Sequence, residues 1–142
     1  MYILDTSVLS ELRRPERADA NVRAWAAAQP AALFYISAVT VLEIELGVLR
    51  MERRDARQGA ILRTWFEQNI MAPFADRIMT IDAAVVRRCA SLHVPDPRPE
   101  RDALLAATAL THGMTVVTRD VLDFEALGVA VFNPWTGGAA NA

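Results

Sequence analysis

The chain predicts an α/β fold, a mostly parallel sheet with helices on both faces. Three observations carry that expectation. Short apolar runs alternate with stretches of helical periodicity along the whole sequence, as in repeated β-α-β units. At 142 residues and 53% hydrophobic content, the chain suits one compact domain burying somewhat under ~70% of its unfolded surface. An acid closes the first apolar run and another follows a later one within three residues, at the strand edge where parallel sheets bind ligands.

The elements follow in order. Met1-Tyr2-Ile3-Leu4 and the residue after it form strand 1–5, followed by a short helix 7–13 and a second helix 21–29 that Pro30 ends. Strand 33–36 comes next, and Ser37 is placed to cap helix 38–52, where Val39, Leu42, Leu46 and Leu49 recur at helical spacing. Helix 56–71 carries Ile61, Leu62, Trp65 and Phe66 and stops before Pro73. Strand 78–81 leads to Asp82, the expected cap of helix 83–93. Pro95, Pro97 and Pro99 then fix a rigid loop, because each locks its own φ and restricts the residue before it. Helix 100–112 ends at Gly113, a left-handed cap, before strand 114–118, a turn through 119–124 and a last strand near 129–132. The domain is expected to span 1–135, with 136–142 a disordered tail.

Composition excludes several classes of protein. No apolar run approaches the ~20 residues of a membrane span, and Asp5 interrupts the region where a signal peptide would need its apolar core, so a soluble cytoplasmic protein is expected. A net charge of −2 argues against a broadly basic wrapper of nucleic acid. Any phosphate contact must be local. All 15 basic residues are arginine and none is lysine. Cys89 is the single cysteine, read as a buried structural thiol, so no disulfide and no thiolate metal set is expected within the chain. His93 and His112 are read as helix-end residues.

Four acids stand out by position: Asp5 after the first strand, Glu43 in the second turn of helix 38–52, Asp102 at the start of helix 100–112, and Asp120 after strand 114–118. Each has a plainer explanation. Asp5 and Asp102 suit helix N-termini, Glu43 could face solvent, and Asp123 competes with Asp120 for the fourth place. If they converge, a cation is required, since a like-charged pair at ~5 Å costs roughly 3 kcal/mol at an effective dielectric of ~20. Oxygen-only donors suit Mg²⁺ or Mn²⁺. The chemistry such a site supports is hydrolysis of a phosphodiester. Arg98, Arg101 and Arg119 lie beside Asp102 and Asp120 in sequence and are placed to hold phosphates.

The runs Ile3-Leu-Asp5-Thr6-Ser7-Val-Leu-Ser10, Ser37-Ala-Val-Thr40-Val-Leu-Glu43-Ile-Glu-Leu-Gly47, Asp102-Ala-Leu-Leu-Ala-Ala-Thr108, Thr118-Arg-Asp120 and Val131-Phe-Asn-Pro134-Trp135 are specific in their order and spacing. Together they resemble PIN-domain proteins, in particular the VapC toxins of type II toxin–antitoxin pairs and their FitB-like branch. The resemblance covers nearly the whole chain. It implies a Rossmann-like three-layer α/β/α sandwich and a Mg²⁺- or Mn²⁺-dependent endoribonuclease. It further implies inhibition by a cognate antitoxin and operator DNA bound through the antitoxin complex; a homodimer is expected beside it. On that resemblance Asp5, Glu43, Asp102 and Asp120 form the metal-binding and catalytic quartet, with Thr6 and Thr118 assisting. Ser7 departs from the pattern, which often has Asn there.

The rival is a PIN-like scaffold without catalysis, acting as a binding partner or co-repressor; the intact quartet speaks against it. A phosphoacceptor receiver domain would need a lysine, and a haloacid-dehalogenase phosphatase would need Asp where Ser7 stands. A dinucleotide-binding fold would need a glycine-rich first turn. Leu46, Leu49, Ile61, Trp65 and Phe66 are expected to form an apolar groove for an antitoxin segment.

Overall fold

The computed structural model of the chain describes residues 1–136. Five strands, β1 (Tyr2–Leu4), β2 (Phe34–Ser37), β3 (Ile78–Met79), β4 (Thr115–Val117) and β5 (Val131–Phe132), form one sheet in the order β3-β2-β1-β4-β5. Every pairing is parallel. The helices are α1 (Thr6–Leu12), α2 (Ala20–Ala28), α3 (Ala38–Arg54), α4 (Ala56–Trp65), α5 (Ala83–Leu92), α6 (Glu100–His112) and α7 (Val121–Glu125).

The pleat of β1 and β4 divides the core. Leu4 and Val117 point to one face, where they meet Val8 and Leu9 of α1, Val22 of α2, Ile44 and Val48 of α3, and Phe66. Ile3 and Val116 point to the other, against Leu105, Ala106 and Ala109 of α6 and Phe124 of α7. On the outer side of α6, Ala103 and Ala107 pack against Val85 and Cys89 of α5. The expected layers are therefore present. No helix among the described residues is long and apolar enough to cross a membrane.

Several boundaries differ from the sequence expectation. The first helix begins at Thr6 because the Asp5 carboxylate accepts the Thr6 N–H at 2.8 Å. Helix 56–71 is regular only to Trp65; Phe66–Met71 continues as a wider π-helical turn. The stretch 119–124, expected as a turn, contains most of α7. β3 and β5 are two residues long, as edge strands often are. Ser37, Asp82 and Gly113 cap as expected: Ser37 Oγ accepts the Val39 N–H, Asp82 accepts the Val85 N–H, and Gly113 is left-handed at φ 66°. Thr136 closes a short 3-10 turn, Pro134–Thr136, so the described chain remains ordered into the first position assigned to the tail. The rest of that expectation, 137–142, lies outside the described residues.

Candidate active site

From β1 the chain passes by way of α1 and α2 to β2 on one side, whereas β4 pairs on the other side of β1. The carboxyl ends of β1 and β4 thus flank a topological switch point, the crevice where open α/β sheets bind ligands. Leu4 pairs with Val117, so the next residues, Asp5 and Thr118, emerge there side by side. The Asp5 N–H extends the ladder by donating to the Val117 carbonyl at 2.9 Å.

Hydroxyl groups hold the acids. Asp5 Oδ1 accepts the Thr6 N–H, while Oδ2 accepts from the Thr118 hydroxyl at 2.7 Å and from Ser7 at 3.2 Å. Asp5 therefore both caps α1 and stays in place for other work, since an ionised carboxylate has about four acceptor sites. Thr118 is fully buried, and its Oγ1 also accepts the Asp120 N–H at 3.0 Å. Thr6 Oγ1 donates to Glu43 Oε1 at 2.9 Å, tying α1 to α3. Glu45 faces elsewhere, to Arg63 of α4.

Charge shows that the remaining acids gather at the same place. Burial pushes the Asp5 carboxyl above its usual range, opposed by the Thr118, Thr6 and Ser7 hydrogen bonds and reinforced by the negative charge of Asp120. Burial also raises Asp102, followed in order by repulsion from Asp5, Asp123, Asp120 and Glu43. Asp120 caps α7 by position but makes no side-chain capping bond, leaving its carboxylate free of that duty. Asp123 is a fifth acid of the cluster: it acts on Asp102 more strongly than Asp120 does, whereas Asp5 feels Asp120.

This all-oxygen donor set fits a hard divalent cation. Mg²⁺ keeps several waters and takes only one or two carboxylates directly, so a ring of acids spread around the crevice suits it. Asp5, Asp102, Asp120 and Glu43 are the residues that could hold it. The basic residues near them are placed differently from one another. Arg98 lines a hollow of about 100 Å³ with Asp102, Leu122 and Asp123. Arg101 reaches to 3.9 Å from Glu43, and the Arg119 guanidinium stacks over Trp135, 4.5 Å from the ring centroid.

One sequence expectation needs correction and another qualification. Phe66 is 1% exposed and packs in the core with Leu4, Val8 and Ile70, so it cannot line a docking groove. The expectation that no thiolate metal set can be framed within the chain is qualified by proximity alone: Cys89 is a buried free thiol, as expected, but two possible ligands stand beside it. Among the described residues, the three donors that come within 4.8 Å of one another are Cys89, His93 and Glu100, not three of the crevice acids. The four-residue spacing of Cys89 and His93 on one helix face was the available signal.

The fold and the acid-lined crevice define a class, and comparison with known proteins agrees. The PIN domain family model matches residues 2–128, and this chain belongs to that family. It is 38% identical to Toxin FitB of Neisseria gonorrhoeae, over 95% of this chain and 99% of that protein. It is 36% identical to VapC ribonuclease Y4jK of Sinorhizobium fredii, over 95% and 98% respectively. The solved structure of FitAB bound to an IR36 DNA fragment superimposes with a TM-score of 0.84 at 38% identity, covering 95% of this chain and 96% of the other.

Proposed function

We propose that this chain is the toxin of a type II toxin–antitoxin pair, an endoribonuclease that hydrolyses RNA phosphodiester bonds with Mg²⁺ or Mn²⁺ at Asp5, Glu43, Asp102 and Asp120. The observation that carries the proposal is the hydroxyl-braced crevice: Thr118 and Thr6 fix Asp5 and Glu43, while burial, and after it the charges of the neighbouring acids, raise the Asp102 carboxyl above its usual range. A scaffold without catalysis would have no use for acids braced and gathered in one crevice. The names of the similar FitB and Y4jK proteins, a toxin and a ribonuclease, support the same reading.

The residues divide the work. Asp5 lies deepest, and its three hydrogen bonds fix both oxygens before substrate arrives, which lowers the reorganisation needed during reaction. Thr118 links Asp5 to the backbone of Asp120, so one side chain joins the acids after β1 and β4. Glu43 and Asp102 close the crevice from α3 and α6. When bound, the cation supplies Lewis acidity, offsetting charge at the reacting phosphate and making water a better nucleophile. Arg98, Arg101 and Arg119 border this space and hold the flanking RNA phosphates.

The partners follow from the same reading. A cognate antitoxin covers apolar surface on α3 and α4, where Leu42, Leu49 and Ile61 are each about half exposed. Trp65 and Leu12 line a neighbouring cavity of about 190 Å³ that an antitoxin side chain can enter. With a net charge of −2, the chain leaves operator DNA contact to the antitoxin. The toxin acts as a homodimer in the cytoplasm, where its RNA substrate is found. The test is cleavage of RNA by the purified chain. Activity should vanish in excess chelator and return when Mn²⁺ or Mg²⁺ is restored; cleavage that persists in chelator would remove the metal-dependent mechanism.

A further inference from the structure

We propose that Cys89, His93 and Glu100 form a second cation site, selective for a borderline-soft divalent ion such as Zn²⁺ and separate from the hard-ion crevice. Cys89 Sγ lies 3.8 Å from His93 Nε2 and 3.9 Å from Glu100 Oε1, and His93 Nε2 lies 3.3 Å from Glu100 Oε2. Tetrahedral Zn²⁺, with bonds of about 2.3 Å to sulfur and about 2.0–2.1 Å to nitrogen or oxygen, separates sulfur from either by about 3.6 Å. It separates nitrogen from oxygen by about 3.3 Å. The two short carboxylate distances go to different oxygens of Glu100; with one oxygen as ligand the three donors lie within 4.8 Å of one another, so a turn of the exposed carboxylate brings them to coordination distance.

The elements explain why these donors meet. Cys89 and His93 share one face of the end of α5, and Glu100 opens α6. The two helices pack through Val85, Cys89, Ala103 and Ala107, whose small side chains on α6 allow close approach. The site grades from buried to open: Cys89 is 4% exposed, the His93 side chain 22% and the Glu100 side chain 70%. An ion can enter from the Glu100 side, and water can take the fourth position. A sulfur–imidazole–carboxylate set prefers Zn²⁺ to Mg²⁺ or Mn²⁺, so the two sites would select different ions. Glu100 is directed at α5, whereas Asp102 is surrounded by the crevice acids.

Loading has a structural consequence. His93 Nδ1 accepts the Arg98 N–H at 3.0 Å, so the neutral ring without metal carries its proton on Nε2 and donates it to Glu100. Coordination through Nε2 moves that ring proton to Nδ1 and releases the thiol proton to solvent. The Arg98 N–H then loses its acceptor, and the loop between α5 and α6 must shift. That loop carries Arg98 beside the crevice, so the bound ion sets the position of a residue placed to meet RNA. The coordination site itself does not rest on the ribonuclease reading; only this last consequence does.

The experiment is a titration of the full chain with Co²⁺, an optical stand-in for Zn²⁺. One equivalent should produce a thiolate-to-cobalt charge-transfer band that Zn²⁺ displaces, because an oxygen-only crevice cannot produce one. Cys89→Ser should abolish the band. Glu100→Gln, a change at an exposed side chain that leaves folding intact, should weaken Co²⁺ binding by at least ~10-fold. Asp5→Asn should leave the band unchanged, and Zn²⁺ should speed hydrogen exchange at the Arg98 amide. Absence of the band at stoichiometric Co²⁺, its loss in Asp5→Asn, or equal Zn²⁺ affinity in wild type and Glu100→Gln would each overturn the proposal.

Discussion

Thr118 does two jobs with one buried hydroxyl, donating to Asp5 and accepting the Asp120 N–H. Thr118→Val keeps the shape but leaves that amide without its partner and frees Asp5 to turn. We expect a loss of ~1–3 kcal/mol of stability in denaturant melts. Cleavage should fall ~10- to 100-fold, as for other residues that orient metal ligands, and Thr118→Ser should restore most of it. Asp5 was legible in the sequence because an Asp directly after an apolar run has a fixed place at a strand end, and Asp120 because it follows another such run closely. Thr6 and Thr118 were reached only through family resemblance, since nothing in a lone threonine says which carboxylate it meets across the fold. Asp123 was seen as a competitor to Asp120, but the order in which the acids repel Asp102 gives both a place in the cluster. Cys89, His93 and Glu100 were missed because the third donor comes from across the proline loop, a distance that spacing within one helix does not report.

At the scale of elements, the α3–α4 hairpin shows how two glycines in similar helical settings differ. A Cβ on Gly59 would stand 2.4 Å from Glu52 Cα, a backbone atom that cannot yield, so this glycine permits the helices to approach. Gly59→Ala should cost ~1–3 kcal/mol and lower the urea midpoint. Gly47 has nothing within 4 Å of its would-be Cβ, and Gly47→Ala should raise stability by ~1 kcal/mol through helix propensity alone. Equal responses from the two variants would refute the packing argument. The long helices and their caps were legible from periodicity and from Ser37, Asp82 and Gly113. The π-helical turn at Phe66 was not, because its apolar residues continue the helical spacing while tertiary packing, not local preference, draws Phe66 and Ile70 into the core.

For the molecule as a whole, the order β3-β2-β1-β4-β5 gathers acids around one crevice, where their charges add to burial in raising Asp102. A cation that binds only the folded state should offset those charges. Mn²⁺ at ~100 times its dissociation constant would add about 2.7 kcal/mol and raise the melting temperature by several degrees. A melting temperature unmoved by millimolar Mn²⁺ would argue that the acids do not act together. Light scattering should report a dimer, and a monodisperse monomer would contradict that part of the proposal. The alternation of strands and helices made the layers legible from sequence, and the switch point followed only once strand order was known. The most direct test of the central claim is RNA cleavage in Mn²⁺ by Asp5→Asn protein that melts as cooperatively as wild type. A carboxamide keeps the shape and removes the charge of the deepest acid, so a loss greater than ~100-fold is expected; undiminished cleavage would contradict the metal-site role of Asp5.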